Sequence, residues 1–412
     1  MSELKTIDRL AAFEPLPVSA DLQAYVRDHE SADVPGLLLG KSSTGIDKRR
    51  AAQQILSRRK ARRKLPDWYA NESVWFPDQK YLEQASSTCT AAYKAGLVGG
   101  ERVVDLTGGT GVDLVALAAN FEHAVYVERD PLLCSIFAHN VRALKLSNID
   151  IVNSDAQTYL KDHAGSALFY VDPSRRDRAD KRVIGLRDCD PDIHSLVETL
   201  AGRASRVMVK ASPMLDLKLA IDQLGSVEAV PVVSVDNECK ELLIFLNGQD
   251  TEIKTGSVDV FCVNLSSTSI QVLHLILDDE AISPGEFTDP LAYLYEPNAA
   301  IMKAGGFNCV ARRFGAGKIA PNTHLYTSAR LIPDFPGRMF KVDHLNVTKP
   351  DRFLTDRRAN VISRNHPLNG EQLKERYRLK DGGDAFVVGY ADNRNKPRLL
   401  IAHRVEYCAP TS

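Results

Sequence analysis

VVDLTGGTGVDLVALA, residues 103–118, is the stretch that decides the fold. An apolar run ends at Asp105, the chain turns through Gly108, Gly109 and Gly111, and apolar residues then recur at helical spacing. Each glycine adds conformational entropy that folding must remove. Their concentration therefore points to something passing so close to the backbone that side chains would block it. A strand turning through glycine into a helix makes a place for a ligand above the strand's carboxyl end, and a helix N-terminus favours anions. The dinucleotide pattern G-x-G-x-x-G nevertheless fails. Gly109 and Gly111 fit it, but Leu114 stands where the third glycine belongs.

Outward from this turn the texture is regular. From about residue 101, RVVDL, HAVYVE, IDIVNSDA, ALFYVDP and RVMVKAS read as strands separated by helical segments. SVEAVPVVSV and KELLIFLN follow with no helix between them. Five βα units and a closing hairpin predict an α/β, Rossmann-like, seven-stranded sheet, largely parallel with one antiparallel strand. Upstream, residues 1–95 read as helical. Ser19 is a good N-cap, TGIDKRRAAQQILSRRKARRKL runs as a helix until Pro66, and DQKYLEQASSTCTAAYKAGLV forms a further helix. Downstream of about residue 250 the pattern is mixed. VDVFCVNLS, QVLHLILD and FKVDHLNV read as strands, and DPLAYLYEPNAAIMKAG as a capped helix broken at Pro297. The tail reads as strand, helix and a hairpin through DNRNK, so small α+β domains close the chain.

Composition narrows the class. A chain of 412 residues suggests two or three domains, and 44% hydrophobic with 25% charged residues is ordinary for a globular protein. No apolar run approaches the roughly 18 residues of a membrane span, and MSELKTIDRLAAFEPLP lacks the apolar core of a secretory signal. The seven cysteines are scattered without a C-x-x-C pair, which predicts neither disulfides nor a metal site and fits a reduced cytoplasm. Net charge is −1, yet the segment from Lys41 to Lys64 is strongly basic, with Asp47 its single acid.

Four acids stand at the carboxyl ends of consecutive predicted strands: Asp105, Glu128, Asp155 and Asp172. Glu128 can accept two hydrogen bonds from a ribose diol, and Asp155 or its flanking backbone can meet an adenine amino group. An acid-rich rim suits a cofactor with ribose, adenine and no phosphate, which is S-adenosyl-L-methionine. Here the sequence resembles the class I S-adenosylmethionine-dependent methyltransferases. In DLTGGTG, Asp105, Gly109 and Gly111 match their first motif and Thr107 replaces its usual first glycine. The resemblance implies cofactor contacts at Gln84, Asp105, Thr107, Gly108, Gly109 and Gly111, at Glu128 with Arg129, and at Asp155 with Ala156.

DPSRRD (172–177) resembles the D/N-P-P-x motif of enzymes that methylate exocyclic base amines. An aryl amine is a poor nucleophile, because its lone pair conjugates with the ring. Acceptors for both N–H bonds, here Asp172 and the Pro173 carbonyl, stabilise the positive charge that grows as the nitrogen attacks. Ser174 takes the second-proline position and Arg175 the aromatic one, where a guanidinium can stack in its place. Asp172-Pro173 can equally do no more than end a strand. No cysteine sits beside the fourth strand to act as a covalent nucleophile. Arg175, Arg176, Arg178, Lys181, Arg182 and Arg187, with the 41–64 block, form either a phosphate track or a solvated face.

YLEQASSTCTAAYKA, DPSRRD, DCDPD and the tail ANVISRNHPLNGEQLKERYRLKDGGDAFVVG together resemble a bacterial, Bacteroidetes-type group of these methyltransferases. That group carries a ferredoxin-like domain and a THUMP-like C-terminal domain. The implied division is 1–95 helical region, 96–250 methyltransferase core, 251–345 ferredoxin-like and 346–412 THUMP-like. The implied reaction is N-methylation of an exocyclic amine in structured RNA, tRNA or rRNA, with no metal and no membrane partner. Gln84, Ser86, Ser87 and Thr90 either fold over the cofactor or cap and pack a helix. A protein or small-molecule methyltransferase, a nicotinamide oxidoreductase and a non-catalytic RNA-binding protein are the rival readings.

Overall fold

A computed structural model describes residues 15–39, 45–163, 165–175, 186–248, 258–282 and 287–405. The chain divides into two compact units, residues 1–228 with 243–254 and residues 229–242 with 255–412.

In the first unit the sheet is built on β1 (Gly100–Asp105), β2 (Phe121–Glu128), β3 (Ile149–Asn153), β4 (Ser166–Val171) and β5 (Ala204–Ala211). The order is β3-β2-β1-β4-β5, every pairing parallel, and β1 lies central, with Val104 paired to Val125 and Phe169. These strands are apolar on both faces because helices cover both. Val103, Val104, Phe169, Val207 and Val209 are buried to 1% exposure or less, each contributing about 1.5–3 kcal/mol of transfer free energy. The crossovers are α5 (Val112–Ala118), α6 (Pro131–Ala143), α7 (Ala156–Asp162) and α8 (Ile193–Ala201), preceded by α1 (Ala20–Asp28), α2 (Lys48–Lys64), α3 (Gln79–Gln84) and α4 (Thr88–Ala95), with α9 (Leu217–Leu224) after β5. Asp130, Asp155, Asp192 and Asp216 accept backbone N–H bonds at the starts of α6, α7, α8 and α9.

Two sequence expectations needed revision. The expected single helix over DQKYLEQASSTCTAAYKAGLV is two helices, α3 and α4. Ser87 caps α4 and Thr90 returns the bond in a capping box, so a new helix starts there and the chain breaks just before it. The expected helix through DPLAYLYEP is a strand, β10 (Tyr293–Pro297), because Leu294 and Tyr295 enter the second unit's core and Pro297 cannot continue a helix. Only α10 (Ala299–Ala304) is helical there, capped by Asn298.

A turn with positive φ at Asp236 and Asn237 joins β6 (Val227–Val235) to β7 (Glu238–Asn247), whose residues from 243 onward belong to the first unit beside β5. In the second unit, β8 (Asp259–Leu265) runs parallel to β6 and β9 (Ile270–Ile276) antiparallel to β8. A separate sheet has the order β11-β10-β12-β15-β14-β13. Its strands are β11 (Tyr326–Ser328), β12 (Gly337–His344), β13 (Asn360–Arg364), β14 (Ala385–Ala391) and β15 (Pro397–Arg404), with helices α11 (Phe307–Phe314) and α12 (Gly370–Tyr377). Among the described residues no helix is long and apolar enough to cross a membrane.

Candidate active site

The carboxyl ends of β1 to β4 open onto a cleft of about 760 Å3. Gln84, Asp105, Thr107, Gly108, Gly109, Glu128, Arg129, Asp155, Ala156, Asp172 and Ser174 all line it. Gly111 and Pro173 are not among its lining residues. Arg175 pairs with Cys189 through the backbone, and its side chain lies outside the described residues.

Two of the glycines have a cause inside the fold itself. A Cβ on Gly108 would stand 2.3 Å from the Tyr126 ring, and one on Gly111 2.1 Å from the Phe137 ring. These two rings stack on each other at 4.1 Å. Gly108 and Gly111 are thus kept bare by the protein's own aromatic pair, and Gly108 also lines the cleft. Gly111 also has φ +77° at the start of α5, and Gly109 has φ +54°, where a Cβ would meet only the Thr107 carbonyl at an ordinary 3.6 Å. Gly109, half-buried, lines the cleft beside Gly108. Its N–H donates to Glu128 Oε2 at 2.9 Å, and its carbonyl accepts from the Tyr126 hydroxyl at 2.6 Å.

Thr107, the departure from the usual glycine, has a role of its own. Asp105 Oδ1 accepts its N–H at 2.9 Å and its hydroxyl at 3.2 Å. The same hydroxyl accepts the Asp172 N–H at 2.7 Å. One side chain thereby ties the end of β1 to the end of β4. Burial pushes the Asp105 carboxyl well above its ordinary range, against the Thr107 bonds and with the charges of Asp113 and Asp172 adding to the rise. Glu128 Oε1 accepts the Asp130 N–H at 2.9 Å, so each Glu128 oxygen takes one backbone bond and keeps a lone pair for a further donor. Asp155 is turned towards α7. Its oxygens accept the Thr158 N–H at 2.9 Å and hydroxyl at 2.8 Å, bonds that hold its carboxyl below the usual range. Arg129 is paired with Asp190 at 2.7 Å on the cleft's rim.

Beneath Asp172 lies a charge network that sequence reading missed. Lys210, at the end of β5, is 2.7 Å from Asp172 Oδ2 and 3.6 Å from Asp113 Oδ2. Asp113 also meets Lys94 at 3.2 Å and accepts from Ser86 at 2.8 Å and Tyr170 at 2.7 Å. Burial alone would raise the Asp113 carboxyl, but Lys94 and Lys210, with those two hydroxyls, hold it below its usual range. At Asp172 burial prevails and the carboxyl is raised, with Lys210 opposing the rise. The available signal was Lys210 itself, a lysine closing the apolar run RVMV at the strand end where ligands gather. Of the DQKYLEQASSTCT residues, Gln84 faces the cleft, whereas Ser86 bonds Asp113 and Ser87 and Thr90 cap α4.

Several cations of the basic block bond within the first unit. Arg58 donates to the Tyr69 carbonyl and pairs with Glu30, and Arg59 donates to the Glu30 and Ala32 carbonyls. Lys60 pairs with Glu83, and Lys64 donates to the Leu82 and Glu83 carbonyls. Arg49, Arg59, Lys60, Arg62 and Arg63 are exposed. Lys41, Arg176, Arg178, Lys181 and Arg182 lie outside the described residues, and Arg187 contacts His194 at 2.8 Å.

Known proteins resemble the chain along most of its length. Residues 293–336 match the family profile of a ferredoxin-like domain, and residues 338–404 that of a THUMP domain-like family. The crystal structure of a candidate methyltransferase from Porphyromonas gingivalis W83 superposes with a TM-score of 0.83. It shares 31% identity, covering 94% of this chain and 98% of that one. An uncharacterised S-adenosylmethionine-dependent methyltransferase of Mycobacterium tuberculosis is 25% identical over 348 residues, 82% of this chain and 90% of the relative.

Proposed function

The chain belongs to the S-adenosylmethionine-dependent methyltransferase family represented by the Porphyromonas gingivalis structure, and from that membership we propose that it N-methylates an exocyclic base amine in structured RNA, tRNA or rRNA. S-adenosyl-L-methionine is its cofactor. The cleft suits that molecule. Glu128 keeps acceptor capacity for a ribose diol, Gly109 lines the cleft without a side chain, and Ala156 lies on the rim where an adenine edge needs a partner. When bound, the cofactor would supply an electrophilic methyl on its sulfonium, and Glu128, Gly109 and Ala156 are the residues that would hold it.

The chain's own part is orientation. The observation that carries the proposal is the Asp172 carboxylate, 35% exposed on the cleft floor with Lys210 bonded to Oδ2 alone. Its Oδ1 has no protein partner among the described residues and is available to an amine N–H. In the D/N-P-P-x motif that DPSR resembles, the second acceptor is the carbonyl of Pro173, a residue outside the cleft's lining. Lys210 opposes the rise that burial gives the Asp172 carboxyl and so favours the anion, which accepts a hydrogen bond. Thr107, through the Asp172 N–H, fixes the acceptor relative to the glycine turn. The THUMP-like match over 338–404 supports RNA as the class of substrate.

Asp172→Ala should lower methyl transfer on the order of 10²–10³-fold, as loss of a preorganised polar group does elsewhere. Calorimetric affinity for S-adenosylhomocysteine should stay within a few fold of wild type. Equal loss of both would make Asp172 a structural residue.

A further inference from the structure

The second unit holds a cavity of about 840 Å3 on the face of its separate sheet, beside the start of α12. Its charge is set by Glu296 of β10, whose side chain is only 2% exposed. Arg338 of β12, directly opposite Glu296 in register, donates to Oε2 from Nε at 2.6 Å, and its Nη2 stands in ion-pair contact with the same oxygen. Arg364, the last residue of β13, reaches Oε1 at 2.5 Å. Strands β12, β15 and β14 stand between β10 and β13 in the sheet order. In a flat sheet that separation is roughly 19 Å, at about 4.8 Å per strand, more than two side chains span. The ion triad therefore bridges a curled sheet and lines its concave face.

The balance of this triad is uneven. Two guanidiniums share one carboxylate, which leaves one positive charge beside a buried anion, an arrangement that is costly unless something else compensates it. Arg338 and Arg364 remain 31% and 37% exposed. The Nη1 hydrogens of Arg338 find no acceptor among the described residues. Asp381 also lines the cavity, but Lys374 takes it at 2.6 Å. The remaining polar wall is made by Asn360, Ser363, Asn365, His366, Asn369 and Gln372, with no further carboxylate among them. We propose that this cavity binds a phosphate group, held by the Arg338 and Arg364 forks that Glu296 pre-orients. Its source is either the RNA backbone, which rests on the function proposed above, or a free phosphate ester, which does not.

The test uses the full-length protein, a fluorescein-labelled single-stranded oligoribonucleotide and inorganic phosphate. Wild type should bind the oligonucleotide, and Arg338→Gln or Arg364→Gln should weaken binding at least about tenfold. Each should also flatten the slope of log K against log salt by about 0.7, the effect of one lost phosphate contact on a single strand. Affinity for S-adenosylhomocysteine should be unchanged. Phosphate binding without oligonucleotide binding, lost in the same variants, assigns the site to a small phosphate ester. Should the variants not fold, phenylglyoxal labelling of wild type gives the same reading, with Arg338 and Arg364 protected by phosphate or oligonucleotide. Unchanged affinity in folded variants, or equal labelling with and without either probe, overturns the proposal. Because neither readout involves methyl transfer, this site and the role of Asp172 stand or fall separately.

Discussion

Lys210 carries more of the site's chemistry than any residue legible in the sequence. With Asp172 raised by burial and pulled back by Lys210, the ionised carboxylate needed to accept an N–H bond is lost on acidification. That loss should begin at higher pH than for an exposed aspartate, near 3.9. In Lys210→Met the opposing charge is gone, so the acid limb of the pH–rate profile should move up and neutral-pH turnover should fall about tenfold or more. An acid limb unmoved by this change would mean that Lys210 does not set the charge of Asp172. The four strand-end acids were readable because parallel strands put their carboxyl ends on one rim. Lys210 was not, because a single lysine after an apolar run has no meaning until β5 is known to lie beside β4.

The glycine turn shows how an element can be located correctly for an incomplete reason. Gly111→Ala meets both a positive φ and the Phe137 ring, whereas Gly109→Ala meets only the positive φ. Urea titrations should show a loss of roughly 1–3 kcal/mol from overpacking on top of about 1–2 kcal/mol of backbone strain at Gly111, and only the strain at Gly109. Equal losses at the two positions would show that the Tyr126–Phe137 pair does not constrain the turn. The strand–turn–helix was legible from periodicity, but what fills the space beneath it depends on rings contributed by β2 and α6. The fully buried pair of Lys94 on α4 and Asp113 on α5 is equally non-local. Lys94→Ala should cost about 3–5 kcal/mol by stranding a buried charge. Because the folded Asp113 carboxyl lies below its ordinary value, its stabilisation is complete above about pH 4 and is lost as pH falls towards the folded value. Denaturation curves taken between pH 7 and pH 3 would show this as a falling midpoint that flattens in Lys94→Ala.

For the chain as a whole, the α/β core, its parallel order and the following α+β units were legible from alternating periodicities. The basic block was read less well, because charge density along a helix does not say whether each cation faces solvent or a carbonyl. Arg58, Arg59, Lys60 and Lys64 spend their donors within the first unit. Arg59→Ala should accordingly affect stability more than RNA affinity, while Arg62→Ala should leave stability within about 0.5 kcal/mol. Thermal melts beside binding titrations separate the two, and a converse result would restore α2 as a phosphate track. Incubation of the purified protein with deuteromethyl S-adenosylmethionine and RNA from cells lacking the gene, followed by nucleoside mass spectrometry, decides the substrate. A labelled methyl on an exocyclic amine of one base, absent with Asp172→Ala, is the expected result. Label confined to protein, to a small molecule or to a ring carbon would contradict it.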